Sequence, residues 1–336
     1  MKTVLRCVFG LVMVISLMGY LTGCGKKVVV NTETKLFPIT VQLDWFAEPE
    51  HGAFYTAKAL KYFEQEGLDV TLLDGGPGAF VTQKVATGVA QFGQYDSTNS
   101  FLAIQEGLPI TNIAVVFQHD PTALLMQESN PVKTFADLNG KVIKARPEWA
   151  FLPFIKKKYG IDFRLVPQDF GLQELMADST LVQQGFYIAE PFYTEQKGIK
   201  LKWLHVYDAG FDSCNTIIAN REFLAKQPER VRAFLRAYYR GYKEYCEGDP
   251  TPAHDLMLAI NKNATRAFLE WSRAQIIKEN LAKGDPTKGG AGDYVMISPD
   301  RVGRQIAQME SLGLLKPGAV TVEKAVDARF LPVNPQ

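Results

Sequence analysis

Cysteine and histidine are scarce in this chain of 336 residues, with four of each. Cys7, Cys24, Cys214 and Cys246 are too few and too scattered for a disulfide-built scaffold or a structural zinc site. No two of His51, His119, His205 and His254 stand four residues apart, so the helical histidine pair of a metalloenzyme is missing and no metal is expected. An excess of charge is missing too. The 37 basic side chains meet 36 acidic ones, which gives no electrostatic reason to expect nucleic acid. Gly-x-Ser-x-Gly, the Walker loop and the dinucleotide Gly-x-Gly-x-x-Gly are all absent. Gly75-Gly76-Pro77-Gly78 comes nearest, but the downstream lysine or third glycine is lacking, and no cofactor is expected. What is present is an ordinary globular composition, 46% apolar and 22% charged, with length enough for two lobes or one large α/β unit.

Residues 1–23 read as an export signal: Lys2 and Arg6, then an apolar run from Cys7 to Tyr20, too short to span a bilayer comfortably. Leu21-Thr22-Gly23-Cys24 resembles the bacterial lipobox, in which the cysteine carries lipid and becomes the mature N-terminus. Residues 24–36 lack a helical period and read as a tether to the membrane.

From there strands and helices alternate. Ile39, Val41 and Leu43 predict a strand, residues 51–66 a helix, and Leu68, Val70 and Leu72 a second strand. A helix over 80–87, a strand over 90–93, a helix over 99–106 capped by Ser97 or Thr98, and a strand over 111–117 follow. Single helices between strands imply crossovers and a mostly parallel sheet with helices on both faces. A second series begins near Phe135, with strands over 141–145 and 184–188, and an amphipathic helix starts at Pro228. The expected division is 37–118 for a first lobe, 119–207 for a second, and 208–336 for a return to the first.

In open α/β sheets ligands bind beyond the strand C-termini. Trp45, Glu48 and His51 follow the first strand, Tyr95, Asp96 and Ser97 the third, Phe117 the fourth, and Glu190 and Tyr193 a strand of the second lobe. Trp45 either stacks on a planar ring or packs in the core, and His51 either meets ligand or only starts a helix. Gly76 and Pro77 either touch ligand or form a tight strand-to-helix turn. Arg146, after the strand over 141–145, either holds an anion or is solvated. Tyr187, Phe192 and Tyr193 cannot all face the cleft.

Leu43-Asp44-Trp45-Phe46, His51-Gly52-Ala53-Phe54-Tyr55, the run from Tyr62 to Val70 and Gly75-Gly76-Pro77-Gly78 together resemble the opening of NMT1/THI5-like solute-binding proteins of ABC transporters. Gln184-Gly185-Phe186-Tyr187 with Glu190-Pro191, Asn215 before a strand, and the stretch from Phe223 to Arg236 resemble later blocks. The resemblance implies a two-lobed Venus-flytrap, no enzymatic activity, and a monomer that passes ligand to a membrane permease. It also implies a ligand such as a hydroxymethyl- or formylamino-pyrimidine precursor of thiamine, with Asn215 in the binding set. Glu48 stands where that branch has asparagine, and the loop over 145–149 lacks its small-residue pattern, so the ligand can differ; Arg146 keeps a sulfonate or other small anion as an alternative. The fungal relatives are pyrimidine synthases, the rival of another class. Here the matching cysteine stretch holds only Cys214, and no histidine stands at residues 96–98.

Overall fold

The structure, a computed structural model, describes residues 35–332 except 289. The export signal, Cys24 and nearly all of the tether lie outside the described residues. Two five-stranded sheets organise the rest. The first contains β1 (Phe37–Gln42), β2 (Leu68–Leu73), β3 (Phe92–Asp96), β4 (Ile110–Phe117) and, from far along the chain, β10 (Asn215–Asn220), in the order β2-β1-β3-β10-β4. The second contains β5 (Thr122–Gln127), β6 (Val142–Lys144), β7 (Arg164–Val166), β8 (Val182–Phe186) and β9 (Leu201–His205), in the order β7-β6-β8-β5-β9.

The two-lobed α/β expectation holds, with mixed sheets. β1 runs parallel to β2 and β3, and β6 parallel to β7 and β8. β10 is antiparallel to both β3 and β4, and β5 to both β8 and β9. These two strands carry the chain into a sheet directly from the other one, so they begin where their neighbours end. Asn215, first in β10, pairs with Asp96 and Phe117, the last residues of β3 and β4. Thr122, first in β5, likewise pairs with Phe186, the last of β8. Both sheets therefore present strand ends at the same cleft.

Local boundaries differ from the sequence reading in three informative places. The helix expected over 51–66 breaks at Lys61, which is left-handed at φ 57°, into Gly52–Ala59 and Tyr62–Gln65. The strand expected over 184–188 is Val182–Phe186, so Tyr187 falls beyond its end and is buried. The cap of Ser97–Gln105 is Asp96, whose carboxylate accepts from Asn99 N at 2.9 Å, in place of Ser97 or Thr98.

Packing fixes the first lobe firmly. Along Pro228–Glu247 the apolar face carries Val231, Phe234, Leu235, Tyr238 and Tyr242, all buried. Phe234 stacks on Phe92 of β3, with centroids 4.0 Å apart, and on Phe63, at 5.5 Å. Gly241 lets this helix press on Gly52–Ala59, since a Cβ there would stand 2.4 Å from the Ala53 carbonyl oxygen. Tyr245 leaves equally little room over Gly52.

Residues 118–121 and 206–214 carry the chain between the sheets. Both are held by one buried side chain, Arg301 of the helix Pro299–Ser311, which donates to the Gln118 carbonyl and, at 2.8 Å, to the Ser213 carbonyl. Cys214 and Cys246 are free thiols, the first buried.

Candidate functional site

The backbone after β1 is shaped by glycine. Gly75 N donates to the Trp45 carbonyl at 2.9 Å and Gly76 N to that of Asp44 at 3.0 Å. A Cβ on Gly75 would stand 2.3 Å from the Asp44 carbonyl carbon and from Trp45 N, so only glycine permits this approach. Gly76, at φ 121°, lies under the Phe46 ring, and Pro77 is exposed. The turn thus supports Asp44 and Trp45, which accounts for its glycines without the ligand contact expected of Gly76 and Pro77.

Trp45, held this way, is partly exposed and has aromatic neighbours on two sides. Phe46 meets it edge-on and Phe170, from the loop after β7 in the other lobe, meets it tilted, both at 5.3 Å. Phe46 and Phe170 keep 46% and 43% of their surface exposed. Phe170 holds left-handed backbone at φ 63°, a conformation bulky residues avoid and one that is enriched at functional positions. No sequence signal pointed to Phe170, since its value lies in facing Trp45.

Behind the rings lies a cluster of acids. His51, fully buried, has Nε2 3.0 Å from Asp44 Oδ1 and 3.5 Å from Glu50 Oε1, while its Nδ1 has no partner. Asn215 donates from Nδ2 to Asp44 Oδ2 at 3.3 Å, and its buried Oδ1 has no partner. These ligand atoms of Asp44, Glu50 and His51 all lie within 4.8 Å of one another. Glu190 starts the helix Glu190–Glu195 in the second lobe, and its Oε2 accepts from Phe186 N at 2.8 Å. Burial, then the Glu190 charge, pushes the Glu48 carboxyl up to about 8. Burial likewise pushes Glu190 up to about 7 against the pull of its backbone hydrogen bonds. Glu50 is raised well above the usual carboxylate range by burial first, then by Asp44, Glu48, Glu190 and Asp120. Burial raises Asp96 to about 6 and raises Asp120 as well.

The remaining expected residues divide. Tyr193 packs on Phe268 at 4.9 Å and stands near enough to Glu48 and Glu190 for both charges to raise its phenol, after burial. Tyr95 feels Asp96, Asp44 and, from the second lobe, Arg146 and Glu148, and burial pushes it up to about 12. Two expectations need correction. Ser97 is 1% exposed, with its hydroxyl donating to Gln305 Oε1 at 2.8 Å and accepting from Cys214 N at 3.1 Å, so it joins elements rather than meeting ligand. Phe117 is core, also 1% exposed, because β4 is covered on both faces. Arg146 is half-exposed and paired with Glu148.

A cleft between two mixed sheets joined by two crossing segments defines the class: this is the solute-binding-protein fold of ABC import systems. A solved neighbour is the alkanesulfonate-binding protein SsuA from Xanthomonas axonopodis pv. citri bound to MOPS, with a TM-score of 0.64 and 14% identity over 87% of this chain and 98% of that one. Within the class the chain belongs to the NMT1/THI5-like family, whose model matches residues 48–253. It is similar to the riboflavin-binding protein RibY of Chloroflexus aurantiacus, 27% identical over 75% of this chain and 74% of the relative. It is also similar to the 4-amino-5-hydroxymethyl-2-methylpyrimidine phosphate synthase of Legionella pneumophila, 24% identical over 65% and 72%. Among the described residues no helix is long and apolar enough to cross a membrane.

Proposed function

We propose that this chain is the binding component of an ABC importer, exported and lipid-anchored through Cys24. It captures a planar, amino-bearing nitrogen heterocycle, such as a hydroxymethyl- or formylamino-pyrimidine, and delivers it to a membrane permease. The observation that carries this reading is the pairing of Trp45 with Phe170 across the cleft beside Glu48 and Glu190, one carboxyl from each lobe. Aromatic walls accept a flat ring, and carboxyl oxygens accept hydrogen bonds from an amino group at its edge. Trp45, Glu48, His51, Tyr95, Glu190, Tyr193 and Asn215 remain the proposed binding set, with Asp44, Glu50 and Phe170 added.

The sulfonate alternative loses its support, because Arg146, the cation that favoured it, is paired with Glu148. The similarity to RibY favours a flavin as the second reading. The uracil-like edge of a flavin places one N–H between two carbonyl oxygens, which matches an acid-rich wall less well than an amino group does. A synthase reading rests on the names of relatives. In this chain Cys214 is buried and its thiol is pushed up by that burial, which suits structure better than reactivity.

Calorimetry with 4-amino-5-hydroxymethyl-2-methylpyrimidine, riboflavin and an alkanesulfonate tests the choice. The aminopyrimidine is expected to bind tightest, and a tighter sulfonate overturns the reading. Trp45→Ala and Glu190→Gln should each weaken binding by roughly tenfold or more, since a lost acceptor for a buried N–H costs on the order of 1–3 kcal/mol.

A further inference from the structure

Six carboxylates converge on the cleft: Asp44, Glu48, Glu50, Asp96, Asp120 and Glu190. They come from four different parts of the fold: the ends of β1 and β3, the crossing segment before β5, and the helix Glu190–Glu195. Among the described residues no lysine or arginine forms an ion pair with any of them, and Asp44 and Glu50 meet the imidazole of His51 at 3.0 and 3.5 Å. The bases nearby are engaged elsewhere. Arg301 offsets part of the Asp120 charge while donating to the Gln118 and Ser213 carbonyls and standing 3.8 Å from Asp212, and Arg146, whose charge reaches Tyr95, is paired with Glu148.

A second observation points the same way. Asn215 is 6% exposed, its amide lies against Asp44, and its Oδ1 is an acceptor without a donor. At the mouth, Trp45, Phe46 and Phe170 offer ring faces, which attract cations by their quadrupoles. Acceptors below and aromatic faces above together describe a receptor for positive charge that arrives from outside the protein.

We infer that the cleft takes its ligand as a cation, a protonated or quaternised nitrogen heterocycle, received by the unpartnered Asn215 Oδ1 and by the aromatic faces at the mouth. The inference rests on the heteroaromatic reading above and adds the charge state. Burying so many like charges is unfavourable without a counter-charge. A cationic ligand supplies that counter-charge.

Three rings of similar shape test this: 4-amino-5-hydroxymethyl-2-methylpyrimidine, its two N-methylated pyrimidinium isomers, and the benzene analogue that carries no basic ring nitrogen. Titrations at pH 7 with EDTA present read the affinity for each ring. At least one pyrimidinium is expected to bind at least as tightly as the aminopyrimidine, and the benzene analogue at least tenfold more weakly. Equal affinity for the benzene analogue, or failure of both pyrimidinium isomers while the aminopyrimidine binds, overturns the inference and leaves the heteroaromatic reading standing. Binding that EDTA abolishes and added zinc restores also overturns it, because a metal ion would then supply the charge at Asp44, Glu50 and His51. Failure of every ring sinks the heteroaromatic reading and this inference with it.

Discussion

Glu48 makes the balance at single residues visible. Burial and Glu190 hold its carboxyl near 8, so in the folded protein it keeps a proton that it would lose in the unfolded chain above about pH 4.5. The folded state thus binds more protons between those values, and stability is full below pH 4.5 and declines as pH rises toward 8. Glu190, raised to about 7, adds to the same slope. The ligand-free protein should therefore melt at higher temperature at pH 5.5 than at pH 8, by an amount on the order of a few kcal/mol of stability. Glu48→Gln should flatten the profile, and a wild-type-like slope in that variant would place the titrating group elsewhere. The sequence made Trp45, Glu48 and Glu190 readable because each follows a strand. Glu50 and Asp120 were not readable, since their importance comes from charges that meet only after both sheets have formed.

Among elements, the turn Gly75–Gly78 and the glycine-lined contact beneath the first helix set where those residues stand. Gly75→Ala puts a methyl against the backbone of Asp44 and Trp45, and should displace Trp45 enough to weaken ligand binding about tenfold or to destabilise the fold by about 1–3 kcal/mol. Gly88→Ala makes a useful control of the glycine effect alone: it has a positive φ but no atom within 4 Å of its Cβ position. Phe234→Ala removes the ring stacked on Phe92 and Phe63, and should cost about 3–5 kcal/mol in a denaturant titration. Periodicity revealed Pro228–Glu247 and the early strands well, because each buries one face. It was silent on β5, β7 and β9. β7 is three residues long with no buried position, and β9 is half-buried throughout, so neither shows alternation. β5 is buried almost end to end and lacks the alternation a half-exposed strand would show.

For the whole molecule the strand order explains why one cleft collects residues so far apart in sequence. Ligand should draw the two sheets together, and small-angle scattering is expected to show a smaller radius of gyration at saturation; an unchanged radius would contradict closure. The return of the chain to the first lobe after residue 208 was expected from the sequence, but the antiparallel direction in which residues 215–220 enter its sheet was not. The single guanidinium of Arg301 ties residues 118–121 to residues 206–214. Two chain crossings held at a common point should turn together, like two leaves on one spindle, and this is testable. Arg301→Gln removes the pin, and amide exchange should then quicken in both crossings in step, including the segment that lies 88 residues away from the substitution in sequence. Selective loosening of one crossing would mean that each is anchored separately. If the lobes close about that pin, closure is a single angle, and in the proposed importer a permease reading that angle would receive one signal, empty or full.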